Sequence, residues 1–116
     1  MSRRLNRPND ERDQVVNAQL ENWGIWARGL PNYLGHPKEP SSNPLPDPVE
    51  DEAQRVEEIM VDCRARRPQL FKLAKLRYIH RLPMTMVAQE MKLSEQSYRE
   101  NTGKLYGYVG AKLEQN

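Results

Sequence analysis

Six polar side chains crowd into seven positions of this chain: Ser94, Glu95, Gln96, Ser97, Arg99 and Glu100. On the outer face of a helix near its start, they form a set suited to the edges of base pairs. Arginine pairs with guanine O6 and N7, glutamine with adenine N6 and N7, and glutamate accepts from cytosine N4. Gln96, Arg99 and Glu100 are therefore the candidates for base contact. Lys92 and Lys104 flank them and suit phosphate oxygens. Upstream, Arg64, Arg66, Arg67, Lys72, Lys75, Arg77 and Arg81 form a basic run with no acid among them. Such a run attracts phosphates whatever the base sequence, and Arg77 and Arg81 join the candidate DNA contacts. Before it come Glu50, Asp51, Glu52, Glu57, Glu58 and Asp62. This acidic block can face a basic protein surface, or the two blocks can be solvated helix faces that pair with each other.

Elements that would present the polar set are legible around it. A helix-turn-helix needs two helices packed across a tight turn, with a small residue at their crossing. Over about 84–103, Ala88 takes the small position, Val87 and Met91 face inward, Leu93 anchors the turn and Tyr98 faces back from the second helix. Pro83 and Thr85 suit the first helix start, and Ser94 is a good N-cap for the second, from about Glu95 to Gly103 or beyond. Lys92 stands where many such motifs have glycine, a departure shared by sigma-factor-type motifs, which often lack that glycine. Asn101 stands where an apolar anchor is common, which shifts the packing to Thr102 and Leu105. Gly103, Gly107 and Gly110 either permit close approach of a neighbouring helix or, at Gly103, end the recognition helix; both remain open. Two ordinary core helices joined by a turn are the plainer alternative.

Upstream, the spacing of Val15, Val16, Leu20, Trp23 and Ala27 predicts a helix from Asn9 or Asp10 to Arg28, stopped by Gly29 and Pro31. Six of the nine prolines lie between Pro31 and Pro48, which predicts a proline-rich loop over 29–47. Asp47, Pro48 and Glu50 then read as N-cap, N1 and N3 of a second helix. Its stripe is Val49, Ala53, Val56, Ile59, Met60 and Cys63, and it ends near Arg67 ahead of Pro68. A third helix runs from about Pro68 to His80. The expected fold is all-α: an N-terminal helix over 1–28, the loop over 29–47, and a helical domain over 48–116 carrying a C-terminal, sigma-factor-like helix-turn-helix.

Composition narrows the class. Of 116 residues, 37% are hydrophobic and 29% charged, with a net charge of +2. That supports one modest core and excludes a chain disordered throughout. Cys63 is the sole cysteine, which excludes an internal disulfide scaffold. No apolar run approaches a membrane span, and none follows the charged amino terminus as in a secretion signal. A soluble intracellular protein with no membrane partner is expected. No catalytic constellation, phosphate-binding glycine loop or nucleophile elbow stands out, so no enzyme and no cofactor are expected. His36, His80 and Cys63 match no metal-ligand spacing, and no metal is expected. Trp23 and Trp26 are three apart and share a helix face. They either anchor the core or offer a docking surface to a protein partner or a base.

One family matches several of these segments together. The chain resembles the phage antitermination protein Q family, in the group related to phage 21 rather than to lambda. The resemblance covers roughly Val16 to Leu113. It rests on the run from Leu20 through Trp23-Gly24-Ile25-Trp26 to Arg28, then the proline-rich connection. It continues through Ala53, Val56, Glu57 and Ile59, then Tyr78-Ile79, Val87-Ala88, Leu93-Ser94 and Tyr98-Arg99, to Leu105-Tyr106-Gly107-Tyr108. What it implies is a transcription antiterminator of late gene expression, working in the bacterial host cytoplasm. Such a protein binds double-stranded DNA near a late promoter. It loads onto paused RNA polymerase that still holds sigma factor, and it suppresses pausing and termination. A non-travelling helix-turn-helix regulator, repressor or sigma-like, is the alternative, and so is a pure protein adaptor. A second copy of the chain stays open as a partner.

Overall fold

The structure, a computed structural model, describes residues 7–29 and 47–115. The proline-rich segment lies almost wholly outside them, as does His36. Five α-helices and one π-helical turn form the described chain: α1 (Arg7–Arg28), α2 (Glu50–Arg66), α3 (Pro68–Ala74), the π turn (Lys75–Ile79), α4 (Met84–Met91) and α5 (Glu95–Glu114). No strand occurs among the described residues. All of these elements contribute to one core.

Helix α1 starts earlier than the predicted Asn9 or Asp10, with Pro8 inside the first turn. Proline is tolerated there because an N–H in the first turn has no intrahelical partner to lose. The buried stripe is Val16, Leu20, Trp23 and Ala27, spaced as one helical face. Val15, expected on that stripe, is 60% exposed. One residue of rotation carries it out of the core.

Helix α2 starts later than predicted. Asp47 does not cap it and Pro48 does not open it; Val49 is the N-cap, without a side-chain cap of its own. Asn22 of α1 holds this end instead, donating to the Val49 carbonyl at 2.9 Å and accepting from its N–H at 2.8 Å. The cap is thus tertiary, and it fixes where α2 begins against α1. Val49 leaves the expected stripe and is 53% exposed, while Ala53, Val56, Ile59, Met60 and Cys63 are buried.

Pro68 ends α2 and opens α3 at its first position. The predicted single helix to His80 changes character at Lys75, where the backbone widens into the π turn and the His80 N–H bonds the Lys75 carbonyl at 3.0 Å. Gly24 of α1 explains how this turn packs. A Cβ at position 24 would stand 2.2 Å from the Tyr78 carbonyl oxygen. Only a residue with no side chain lets the two backbones meet. At the other end of α1, the Arg28 guanidinium donates to the Ile79 carbonyl at 2.7 Å.

Helix α5 is continuous, so Gly103 does not end it. It packs along α1, α2 and α3, burying Tyr98, Leu105, Val109 and Gly110. Gly110 meets Arg12 and Val16 of α1, whereas Gly103 and Gly107 face open space. Hydroxyls tie the helices across the core edge. Tyr78 OH donates to Asn17 Oδ1 at 2.6 Å and lies 2.8 Å from Tyr106 OH, itself 3.0 Å from Asn17 Oδ1. Tyr108 OH donates to Asp62, which also accepts from Arg66 at 2.9 Å and lies 3.6 Å from Lys112. The Trp23 indole N–H donates to Glu57 at 2.9 Å.

Two glycines should respond oppositely to alanine. Gly24→Ala should lower stability by about 2–3 kcal/mol, because backbone stands in the way. Gly107→Ala should raise it by about 0.5–1 kcal/mol, because the site is open and mid-helix. Urea midpoints of the two variants against wild type check both signs. Alkali gives a second check. Burial and then the Asp62 hydrogen bond raise the Tyr108 hydroxyl from 10.0 to about 12, and burial raises Tyr78 as well. The unfolded chain ionises first, so stability is fully present below about pH 10 and falls as pH rises toward 12. A urea midpoint unchanged across that window would contradict both hydroxyl assignments.

Candidate nucleic-acid interface

Helix α4 begins at Pro83, whose extended backbone (ψ 161) sets it at N-cap. Val87 is fully buried, and Ala88 and Met91 pack against the core edge. Lys92 then turns left-handed, at φ 57 and ψ 47. Its N–H bonds the Gln89 carbonyl at 3.1 Å, and the Leu93 N–H bonds the Ala88 carbonyl at 2.8 Å. This paired closure is the Schellman arrangement that usually takes glycine. Ser94 follows in extended conformation, and its Oγ accepts from the Ser97 N–H at 3.1 Å. Two helices therefore meet across Lys92, Leu93 and Ser94.

Tyr98 faces back into the core and is 3% exposed. Asn101 is half-buried and donates to the Ser97 carbonyl at 2.8 Å. Leu105 carries the apolar packing one turn on. Thr102 is half-buried, with its hydroxyl lacking a hydrogen-bond partner among the described residues.

The opposite face is polar and open. Lys92, Ser94, Glu95, Gln96, Arg99, Glu100 and Lys104 are exposed, and Ser97 is half-buried. Candidate reading residues are held in pairs along this face: Arg99 donates to Glu95 at 2.7 Å, and Gln96 to Glu100 at 3.3 Å. Exposed pairs four apart stabilise a helix only weakly, so a base edge can compete for either partner.

The members of the basic run differ in their surroundings. Arg77, assigned above to DNA, is half-buried and donates to Tyr98 OH at 3.0 Å. Its guanidinium lies 5.3 Å from the centre of the Tyr78 ring. Arg64 lies over Phe71 at 5.4 Å, and Arg66 pairs with Asp62. Arg67, Lys72 and Arg81 are exposed. Arg81 has a left-handed backbone, at φ 59. It lines an open cleft of about 350 Å³ at the start of α4, together with Glu21, Arg77, Pro83 and Met84.

The tryptophan pair divides. Trp23 is fully buried, so its indole cannot dock a partner; it anchors α1 to α2 through Glu57. Trp26 is partly buried against the core. Within the acidic block, Glu57 and Asp62 are engaged internally, while Glu50, Asp51, Glu52 and Glu58 stay exposed. Cys63 is buried, and burial pushes its thiol to about 11. No group of three His, Cys, Asp or Glu side chains gathers as a metal site among the described residues. No helix among them is long and apolar enough to cross a membrane.

Two features escaped the sequence. The Arg77–Tyr98 hydrogen bond starts from the π turn, which the unbroken helical pattern of 68–80 conceals. The Glu95–Arg99 pair was visible as a spacing of four but read as two separate contacts. Comparison with known proteins returns no match among family models, curated proteins or solved structures.

Turn chemistry gives a direct test. Lys92→Gly should stabilise by about 1 kcal/mol, since it removes the left-handed cost of a side chain. Ser94→Ala should destabilise by about 1 kcal/mol through the lost cap. Thermal midpoints that move the other way would mean that this turn has a different backbone.

Proposed function

We propose that the chain binds duplex DNA with α4 and α5 used as a helix-turn-helix, and that it acts on transcription as an antiterminator. One observation carries the DNA reading. The first two turns of α5 present Glu95, Gln96, Arg99 and Glu100 outward, on a helix whose later turns are anchored in the core at Leu105 and Val109. A rigid helix with an open polar start is the form in which side chains reach base edges in the major groove. Lys92 and Lys104 flank it, and exposed Arg81 precedes α4; on this reading they contact phosphates.

The antiterminator part rests on the resemblance to the phage family, from Leu20 to Arg28 and through the later segments. DNA binding by itself cannot alter elongation far from the binding site. The chain would have to pass to RNA polymerase that still holds sigma factor and stay there. A terminator acts through a hairpin in emerging RNA, so a small helical protein at the RNA exit can oppose it by bulk alone. The surface left for polymerase comprises Trp26 and the exposed acids Glu50, Asp51, Glu52 and Glu58. A second reading, a regulator that never leaves its site, is favoured by the burial of Trp23 and the internal engagement of Glu57 and Asp62.

Selection from randomised duplexes should yield a defined site. Gln96→Ala and Arg99→Ala should each weaken it by about 1–3 kcal/mol while leaving binding to random duplex nearly unchanged. Placed beside a promoter, the selected site should let bacterial RNA polymerase read through a distant intrinsic terminator, and only in cis. Unchanged termination despite a clear footprint supports the fixed regulator. Failure to select any site removes the DNA reading itself.

A further inference from the structure

Arg77 lies in the basic run, yet its surroundings are those of a brace. Among the first ten residues of α5, Glu95 to Lys104, only Tyr98 is buried. α4 adds little support, since Val87 is its one fully buried side chain. The first turns of α5 therefore depend on how Tyr98 is held. Its hydroxyl accepts from Arg77 at 3.0 Å, and the guanidinium lies 5.3 Å from the Tyr78 ring centre. Tyr78 is in turn tied to Asn17 and Tyr106.

The π turn makes this possible. A wider turn rotates successive residues by less than an α-helical turn does, so Arg77 and Tyr78 both reach α5. They meet Tyr98 and Tyr106, two turns apart on one face of that helix. The clamp thus has one arm in the core and one arm next to Gln96 and Arg99.

We propose that Arg77 is a positioning residue, which fixes the angle of the reading turn of α5 through the Tyr98 hydroxyl rather than touching phosphate. The proposal rests on the DNA reading above. A hydrogen bond from a charged donor at a half-buried site is among the stronger polar interactions in a fold. Its loss should loosen the turn that carries the base contacts and leave the phosphate contacts intact.

Tyr98→Phe is the decisive variant, since it removes one hydroxyl and keeps both the ring and the Arg77 charge. Arg77→Met removes the other partner. Each should lower the ratio of selected-site to random-duplex affinity by about tenfold, and the double variant should lower it no further. Amide exchange over 97–101 should rise in all three, with far-ultraviolet circular dichroism unchanged. The salt slope should stay as in wild type, because no phosphate contact is lost. A slope flattened by about 0.9 in Arg77→Met but not in Tyr98→Phe would make Arg77 a phosphate contact and overturn the proposal. So would an undiminished affinity ratio or unchanged exchange in Tyr98→Phe. A wild-type protein that selects no site at all is a different failure. It removes the DNA reading, and with it the role claimed for Arg77, whatever the exchange data say of the clamp.

Discussion

Helix α1 can lie on the π turn only because position 24 carries no side chain. The contact joins the backbone of one element to a carbonyl of another, at a distance no Cβ could share. Side chains can shift to relieve crowding; a carbonyl inside a helical turn cannot. The approach sets the register of everything else on α1. Asn17, about two turns toward the amino end, comes level with Tyr78 and Tyr106. Asn22 comes level with Val49 and sets the start of α2. Trp23 reaches Glu57, and Arg28 reaches the Ile79 carbonyl. Five positions of one helix thus bind α2, the π turn and α5 in fixed relation. Sliding α1 by one residue would break all of these bonds together.

Much of the fold was legible because it follows from local rules. Apolar spacing gave the buried faces of α1 and α2 almost residue by residue. Proline marked the break at 67–68, and Ser94 marked the start of α5. The misses share a cause, which is that tertiary contact overrode a local signal. Asp47 and Pro48 form a good start sequence, but Asn22 offers two hydrogen bonds to Val49, and the helix begins where those bonds place it. The start at Asn9 or Asp10 falls short of Arg7 because the sequence does not reveal that the missing N–H of Pro8 falls in a first turn. Nothing in Lys75 to Ile79 announces a π turn, whose reward is a set of contacts with α1 and α5 far away in sequence.

The candidate site was legible in its residue types and less so in their duties. Ser94, Glu95, Gln96, Arg99 and Glu100 lie on one open face as the spacing implied, because the inward position of Tyr98 fixes the rotation of α5. Trp23 and Arg77 each carried two readings that residue type left open. Tryptophan suits a docking surface or a core anchor, and Trp23 takes the second role, since its size is what a small core uses to fill space. Arginine in a basic run suggested phosphate, yet its guanidinium also suits a hydroxyl and an aromatic face inside the protein. Residue type alone cannot separate these uses; burial separates them for Trp23.

Charge on the open face adds a constraint on how any DNA would be held. Between Glu90 and Lys104 there are three acids, Glu90, Glu95 and Glu100, and three bases, Lys92, Arg99 and Lys104. A balanced face contributes little of the general attraction that dominates most protein–DNA affinity. Attraction would then come from exposed bases outside it, such as Lys72 and Arg81, or from a second protein bound alongside. Discrimination would come from direction: Arg99 and Gln96 give up weak partners on the same helix only for a base edge of matching geometry. Glu95 and Glu100 penalise any docking that leaves them against phosphate, which disfavours wrong registers more than it favours the right one. On the proposed reading this has a kinetic consequence. A chain that must leave its site and travel is better served by a hold that is selective but not tenacious, and a balanced face supplies that combination.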